Sequence, residues 1–213
     1  GKGIDYEIIA VDDGSNDDSF TLLNKYNFIK VIKHKINKGY GASIKTGLRI
    51  AKYDAICITD ADGTYPNEKI SVLYKKYINE KLDMLVASRT GRNVSYPFIK
   101  RIPKYFIIKL ANYITNSKIP DINSGLRVFN KELSLKYFHL YPNGFSFTTT
   151  ITLSLLCAEY IVEYYPIDYE LDTLYKRYYW QCTPILPIIN FSTRSVFWTG
   201  IVMVISVPTP FSE

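Results

Sequence analysis

The chain has 213 residues, of which 47% are hydrophobic and 22% charged. This balance excludes an intrinsically disordered protein, and the length allows a sizeable core. The net charge of +6 favours anionic partners such as nucleotide phosphates or lipid head groups. We do not expect nucleic acid as a partner, because no zinc-finger or RNA-binding signature accompanies the charge. The three scattered cysteines form no disulfide framework, which favours a reducing, cytosolic location.

Strands and helices alternate through the first part of the chain. Apolar runs at 7–11, 28–32, 55–59 and 82–88 predict short strands. Capping residues and helical spacing predict helices near 16–26, 44–51 and 67–79. Short loops separate these elements. The pattern is typical of an α/β fold with a mostly parallel sheet and helices on both faces.

The second part of the chain is predicted to be mainly helical. Helices are expected at 98–115, which is amphipathic and basic, at 131–138 after an Asn130 cap, and at 148–159, followed by a strand at 160–168. We expect residues 1–175 to form an N-terminally truncated catalytic domain. Residues 176–213 form a basic and aromatic, then apolar, appendage. We interpret its apolar end as a membrane-contact segment, with a plain buried helix as the alternative.

Two carboxylates follow the predicted strand at 55–59, in the run Asp60-Ala61-Asp62-Gly63-Thr64. Ligands of open α/β sheets bind at the carboxyl ends of strands. Paired carboxylates there suit Mg²⁺ or Mn²⁺, which is typically held by one or two carboxylates plus the phosphates of a substrate. The alternative is that Asp60 caps a turn and Asp62 is a solvated loop residue.

Three other strand or helix ends carry candidate ligand-binding residues. Asp12 and Asp13 end the first strand and can accept hydrogen bonds from a ribose or a base, although helix capping is the alternative. The turn from Gly39 to Gly41 lets the backbone approach an anion at a helix start. Arg89 follows the strand at 82–88 and can pair with phosphate oxygens, with a surface salt bridge as the alternative.

Six motifs, in this order and at these intervals, resemble glycosyltransferase family 2, and within it the dolichol-phosphate mannose synthase-like branch of polyprenyl-phosphate glycosyltransferases. The motifs are Val-Asp-Asp-Gly-Ser at 11–15, Asn-Lys-Gly-Tyr-Gly at 37–41, Asp-Ala-Asp-Gly-Thr-Tyr-Pro at 60–66, Ser-Arg at 88–89, Ser-Gly-Leu-Arg at 124–127 and Gly-Phe-Ser-Phe at 144–147. The resemblance covers about residues 5–168. It implies a GT-A fold, a nucleotide-sugar donor, a divalent metal and inversion at the anomeric carbon.

The resemblance also implies roles for individual residues. The donor would be bound by Val11, Asp12, Asp13, Gly39, Asp60, Ala61, Asp62 and Arg89. The metal would be bound by Asp60 and Asp62, with Thr64 standing where the family often has a Gln ligand. Asp62 and Arg89 would act in catalysis, as would Asp121 as the base for a hydroxyl acceptor, although Asp121 could instead cap its loop. The acceptor would be bound by Ser124, Arg127, Ser146 and Arg177, although Arg127 could instead brace the fold.

The sequence departs from the family pattern at two places. The family's first strand, with its Pro-x-Tyr-Asn-Glu turn, is expected before residue 1, and a sheet without it should expose an edge. After the last predicted strand the branch commonly has Arg and then Gly-Lys-Ser-Lys. Here the run Lys176-Arg177-Tyr178-Tyr179-Trp180-Gln181 stands instead.

The leading hypothesis is a membrane-associated enzyme at the cytosolic face that moves a hexose from a UDP- or GDP-sugar to a polyprenyl or dolichyl phosphate. Residues 97–109 and the apolar C-terminal stretch would touch the bilayer. Three alternatives remain open: a soluble transferase acting on a glycan or protein, a nucleotidyltransferase, and a degenerate module that binds nucleotide or membrane without turnover.

Overall fold

The computed structural model describes residues 5–61, 63–90, 101–168 and 201–209, with the backbone alone at 101–106 and 201. Within these ranges the strands are β1 (Glu7–Asp12), β2 (Ile29–Lys33), β3 (Ala55–Asp60), β4 (Met84–Ser88), β5 (Arg127–Asn130), β6 (Val162–Pro166) and β7 (Ile201–Val207). The α-helices are α1 (Ser19–Leu23), α2 (Tyr40–Ile50), α3 (Ile70–Asn79), α4 (Arg101–Thr115), α5 (Lys131–Lys136) and α6 (Phe147–Cys157). Short 3₁₀ turns occur at Asn67–Lys69 and Phe138–Leu140.

The strands form one sheet in the order β2-β1-β7-β3-β5-β4-β6. Five strands run in one direction, while β5 and β7 run in the opposite direction. The predicted α/β class is therefore confirmed. The sheet is mixed, however, and not mostly parallel as the sequence predicted, because inserting the reversed strands β5 and β7 makes four of the six strand pairings antiparallel. The carboxyl ends of β1, β3 and β4 lie at the same edge, and the chain enters β5 from that edge.

Helices cover both faces of the sheet and enclose two apolar cores. One core joins Leu23 of α1 and Leu73 of α3 to alternate residues of the strands, such as Ala10 and Cys57. The other core joins α2 and α6 to the residues that point the opposite way, such as Ile9 and Ile58. Strand residues that are buried on both faces explain the nearly continuous apolar runs in the sequence.

Strand β7 lies between β1 and β3 and is antiparallel to both. Its Met203 and Ile205 enter one core, while Val202 and Val204 enter the other. The prediction of a membrane-contact segment is therefore wrong for residues 201–207, which form a central strand, buried at residues 202–207. The predicted open edge is also absent from the described sheet, because β7 pairs with β1 and β3. An apolar run of this length reads equally well as a strand or a helix until its partners are known.

The termini of two helices follow from single residues. Asn130 caps α5, since its side chain accepts a hydrogen bond from the backbone N–H of Leu133 at 3.0 Å. Helix α2 begins inside the glycine turn, directly after Gly39, whose φ is 99°. A Cβ at Gly39 would lie 2.5 Å from the carbonyl oxygen of Asn143. Only glycine therefore combines this left-handed backbone with the close approach of the loop at 142–145.

Candidate active site

Two acidic strand ends lie side by side at the carboxyl edge of the sheet. Asp12 ends β1 opposite Ile201, and Asp60 ends β3 opposite Val202. Only β7 separates them, so their backbones are about 10 Å apart, or two strand spacings. Ligands of α/β sheets bind at such an edge. The structure thus brings together two of the acidic motifs that the sequence singled out.

The carboxylate of Asp12 is buried, and one of its two oxygens accepts a hydrogen bond from a residue nearby in the sequence. Its Oδ1 accepts a hydrogen bond from the N–H of Ser15 at 2.8 Å. Its Oδ2 is buried and has no hydrogen-bond donor in the described part of the chain, with Lys33 Nζ 3.9 Å away. A buried carboxylate oxygen favours a donor. Asp12 therefore suits an N–H or O–H group of a ligand.

Asp13 has a different environment, because its carboxylate is engaged within the protein. It contacts His34 Nδ1 at 2.6 Å and accepts from the backbone N–H groups of Lys38 and Gly39 at 2.8 and 2.7 Å. His34 in turn contacts the hydroxyl of Thr46 at 2.9 Å through Nε2. These contacts fasten the glycine turn to the end of β1. Asp13 and Gly39, both predicted to bind the donor, are thus brought together.

The side chain of Val11 is fully buried in the core beside α2. Ala61 is also buried, directly after β3. At these two positions only the backbone remains for a donor to contact.

The Asp60 carboxylate lies in a pocket formed by Tyr40, Tyr65 and Gly125. A Cβ at Gly125 would lie 2.8 Å from Asp60 Oδ2 and 3.2 Å from the Tyr40 hydroxyl. The Tyr65 hydroxyl accepts a hydrogen bond from the Gly125 N–H at 2.7 Å. Burial raises the pKa of Tyr40 well above its ordinary value, and the Asp60 charge raises it further. Both effects keep the hydroxyl protonated and available as a donor.

The fit of this pocket to a divalent cation rests on Asp60. Since Gly125 has no side chain, it leaves space beside Asp60 Oδ2 that any other residue would fill. Within the described ranges, no three His, Cys, Asp or Glu side chains cluster as a metal site. Asp62 lies outside the described residues, and Thr64 is half-buried. One carboxylate at a strand end is compatible with an ion whose other ligands come from phosphates and water.

Arg89 follows β4 and pairs with Asp121. Its Nε and Nη2 donate to the two carboxylate oxygens at 2.6 and 2.8 Å, and its backbone N–H also donates to Asp121 at 3.1 Å. Asp121 additionally accepts from the N–H of Asn123 at 3.2 Å, which is the loop-capping contact left open by the sequence. The pair fixes the direction of a cationic side chain at the site edge.

Two residues predicted to bind the acceptor face the interior. Ser124 donates its hydroxyl to the Ala87 carbonyl at 2.5 Å. Arg127 is fully buried and donates to the carbonyls of Ser124 and Thr148 and to the hydroxyl of Thr152. Burial lowers the pKa of Arg127. Both side chains brace the loop before β5, so for Arg127 the structure supports the alternative role that the sequence left open.

The other predicted acceptor residues are in different situations. Ser146 is exposed at the start of α6, and Arg177 lies outside the described residues. Next to Ser146, the ring of Phe145 is 83% exposed and stacks on Tyr40, with 5.5 Å between centroids. The roles of Tyr40, Phe145 and His34 were missed. Tyr40 and Phe145 lie within two of the six motifs, but their roles, like that of His34, depend on partners that are distant along the chain.

Helix α4 carries an exposed apolar stripe. Ile107, Leu110 and Ile114 recur at helical spacing, and Tyr113 is 86% exposed beside them. Beside this stripe, Ala111 and Ile108 of the same helix pack into a small third core with Ile119 and Ile122. No helix in the described ranges combines the length and apolarity needed to cross a bilayer.

Comparison with known proteins gives consistent matches. The model of the family described as glycosyl transferase family 2 matches residues 2–138. A dolichol-phosphate mannosyltransferase of Pyrococcus furiosus is 30% identical over 162 residues, which is 71% of this chain and 45% of that protein. A dodecaprenyl-phosphate galacturonate synthase of Rhizobium johnstonii is 26% identical over 133 residues, covering 60% of this chain and 39% of that protein. The chain spans about half the length of the curated relatives it matches.

Among solved structures, the glucosyl-3-phosphoglycerate synthase of Mycobacterium tuberculosis in complex with Mn²⁺, UDP-glucose and phosphoglyceric acid has a similar fold. The TM-score is 0.58 at 15% identity, covering 79% of this chain and 62% of that chain. At this identity the likeness concerns the fold alone. It supports the expected GT-A architecture.

Proposed function

This chain belongs to glycosyl transferase family 2, and from that premise we propose that it is the donor-binding and catalytic part of a metal-dependent, inverting glycosyltransferase. The reaction would move a hexose from a UDP- or GDP-sugar to a polyprenyl or dolichyl phosphate. The observation that carries the proposal is the pairing of Asp12 and Asp60 at one sheet edge, on either side of β7. Relatives whose names contain dolichol-phosphate and dodecaprenyl-phosphate support the acceptor class.

The donor would lie across the carboxyl edge of the sheet. The buried Oδ2 of Asp12 would accept a hydrogen bond from the base or ribose. Asp13 would keep the glycine turn at 38–39 in place beside the nucleotide through its two backbone contacts. This arrangement separates ligand binding, at Asp12, from loop positioning, at Asp13.

The diphosphate would lie nearer to Asp60 and Arg89. When bound at Asp60 and Asp62, Mg²⁺ or Mn²⁺ supplies Lewis-acid stabilisation of the leaving diphosphate. Arg89, whose orientation is fixed by Asp121, adds positive charge where negative charge develops. A phosphate acceptor is already an anion, so attack on the anomeric carbon needs little help from a protein base. Asp121 is therefore not required to take up a proton.

Contact with a bilayer would bring the lipid-linked acceptor to this edge. The exposed stripe of α4 at Ile107, Leu110, Tyr113 and Ile114 is apolar, and Lys109 and Lys118 are exposed near it. An apolar helix face with basic neighbours suits the surface of an anionic membrane. The cytosolic face is the location at which nucleotide-sugars and reduced cysteines would both be found.

A donor-cleavage and transfer assay tests the proposal. The purified chain is supplied with Mn²⁺, a polyprenyl phosphate in detergent, and UDP- or GDP-hexoses in turn. We expect metal-dependent transfer to the lipid phosphate, and a loss of at least tenfold in Asp60→Asn and Asp62→Ala chains. Activity equal to the unmodified chain in both variants would contradict the metal role. Nucleotide binding without cleavage of any donor would support the degenerate binding module instead.

A further inference from the structure

The Tyr40 side chain connects the Asp60 pocket to an exposed aromatic ring. Tyr40 is the first residue of α2, and its ring is nearly parallel to that of Phe145, with an angle of 18° between planes. Its hydroxyl is buried beside the Asp60 carboxylate and has no other hydrogen-bond partner in the described part of the structure. Because a buried hydroxyl without an acceptor is costly, this O–H is directed toward Asp60.

The backbone around Tyr40 holds its ring in place. The N–H of Ala42 donates to the Asn143 carbonyl at 3.0 Å, and Lys45 Nζ donates to the Asn143 side chain at 3.0 Å. A Cβ at Gly41 would collide with the Pro142 carbonyl. The start of α2 is therefore packed against the loop at 142–145 with no space between their backbones. Tyr40 has a rigid base from which its hydroxyl reaches Asp60.

Groups that hydrogen-bond to a metal-binding carboxylate or imidazole orient it and tune its affinity. Asp60 is half-buried at the end of β3, with Gly125 on one side of Oδ2 and the Tyr40 hydroxyl close to the same space. We propose that Tyr40 is a positioning residue for Asp60, and that its hydroxyl holds the carboxylate in the orientation that receives the cation of the sugar donor. This inference rests on the proposed function, because it concerns the metal that the donor requires.

Binding of Mn²⁺ in the presence of UDP, and separately of GDP, tests the inference without relying on turnover. Free Mn²⁺ is measured by electron paramagnetic resonance for the full chain and for the Tyr40→Phe variant, which keeps the ring and its stacking. We expect the dissociation constant for Mn²⁺ to rise about tenfold in Tyr40→Phe. Saturating Mn²⁺ should restore most of kcat, because only the orientation of the ligand has changed.

The matched control is Tyr141→Phe, which removes another buried tyrosine hydroxyl, on a ring that packs against Phe138 and Phe147. Its Mn²⁺ affinity should equal that of the unmodified chain. Thermal unfolding is recorded for each variant. If Tyr40→Phe does not fold, Gly125→Ala tests the same contact, since its Cβ would crowd both Asp60 Oδ2 and the Tyr40 hydroxyl, and the same tenfold rise is expected.

The measurements distinguish a failure of the inference about Tyr40 from a failure of the proposed function. Unchanged Mn²⁺ affinity in folded Tyr40→Phe, together with weakened binding in Asp60→Asn, overturns the inference and leaves the proposed function standing. Mn²⁺ affinity in Asp60→Asn equal to that of the unmodified chain contradicts the metal role of Asp60 and thus the proposed function itself.

Discussion

Arg89 and Asp121 form a bidentate pair in which each carboxylate oxygen receives one guanidinium N–H, at 2.6 and 2.8 Å. The Asp121 side chain is 1% exposed and that of Arg89 is 13% exposed. A general base needs an oxygen within reach of the acceptor's proton. Because both oxygens of Asp121 receive donors from the protein, the pair favours a bracing role for Asp121. It also couples the end of β4 to the loop that precedes β5.

Replacing Asp121 by Asn should destabilise the fold. The change leaves the Arg89 guanidinium largely buried without its counter-charge, so we expect the free energy of unfolding to fall by about 3 kcal/mol. Urea denaturation followed by circular dichroism measures this. The control is Glu80→Gln, which removes the carboxylate of the exposed pair with Lys76 and should change stability by less than about 1 kcal/mol. Equal effects of the two substitutions would contradict the buried pair.

Adding a methyl group to α2, by replacing Gly47 with Ala, tests the contact between α2 and β7. A Cβ at Gly47 would lie 2.5 Å from Val204 Cγ2, so Gly47→Ala should lower stability by about 1–3 kcal/mol through overpacking. Val204→Ala removes the opposing methyls, and the double variant should be more stable than the sum of the single effects predicts. Strict additivity in urea denaturation would show that β7 does not pack under α2.

Stability should decline at alkaline pH. Burial raises the pKa of Tyr65 and of Tyr141 to about 12, from an ordinary value of 10.0. The unfolded chain therefore loses these protons first. The contribution of each buried tyrosine to the free energy of unfolding is fully present below about pH 10. It is lost as the pH rises toward 12, by about 1.4 kcal/mol per pH unit for each group.

In the Tyr141→Phe variant, the free energy of unfolding should fall less steeply with pH, because one of the titrating tyrosines has been removed. Urea denaturation repeated between pH 9 and 11 measures this slope. The control is Tyr113→Phe, since the ring of Tyr113 is 86% exposed and changes its surroundings little on unfolding. A slope in Tyr141→Phe equal to that of the unmodified chain would show that burial of Tyr141 does not act in this way.

The α4 stripe should govern membrane association. Replacing Leu110 and Ile114, which are 60% and 56% exposed, by Ser should reduce the partition coefficient onto anionic vesicles by about tenfold or more, because two apolar contacts are lost. Liposome flotation measures the bound fraction. Ile161→Ser is the control, because Ile161 is 54% exposed outside α4. An unmodified chain that stays in the soluble fraction would contradict membrane contact at this face.

The sequence predicted the elements whose signal is local. Periodicity and capping identified β1 to β4, β6 and most helices, and the acidic strand ends were located correctly at Asp12 and Asp60. Strand β5 was missed because its four residues, Arg127–Asn130, are too few to show a period. Strand β7 was misread because an apolar run does not reveal its neighbours.

The same limit applies to the site. The residue types at 121–127 indicated that these side chains bind a ligand. In the structure, however, the Arg127 guanidinium donates hydrogen bonds to backbone carbonyls of its own loop and of α6. Whether a polar side chain faces a ligand or the interior depends on tertiary contacts, which one sequence does not display. His34 is the converse case: it received no role, and it meets Asp13 across 21 residues.

The central position of β7 has a consequence for how the sheet is completed. Ser206 bonds to Glu7 across 199 residues, so this closure has a very high contact order and is expected to be slow. Until it occurs, β1 and β3 each present an unpaired backbone edge, and such edges bind other chains. The folding intermediate most exposed to aggregation should therefore be one in which both parts of the sheet have formed and residues 201–207 have not yet joined them.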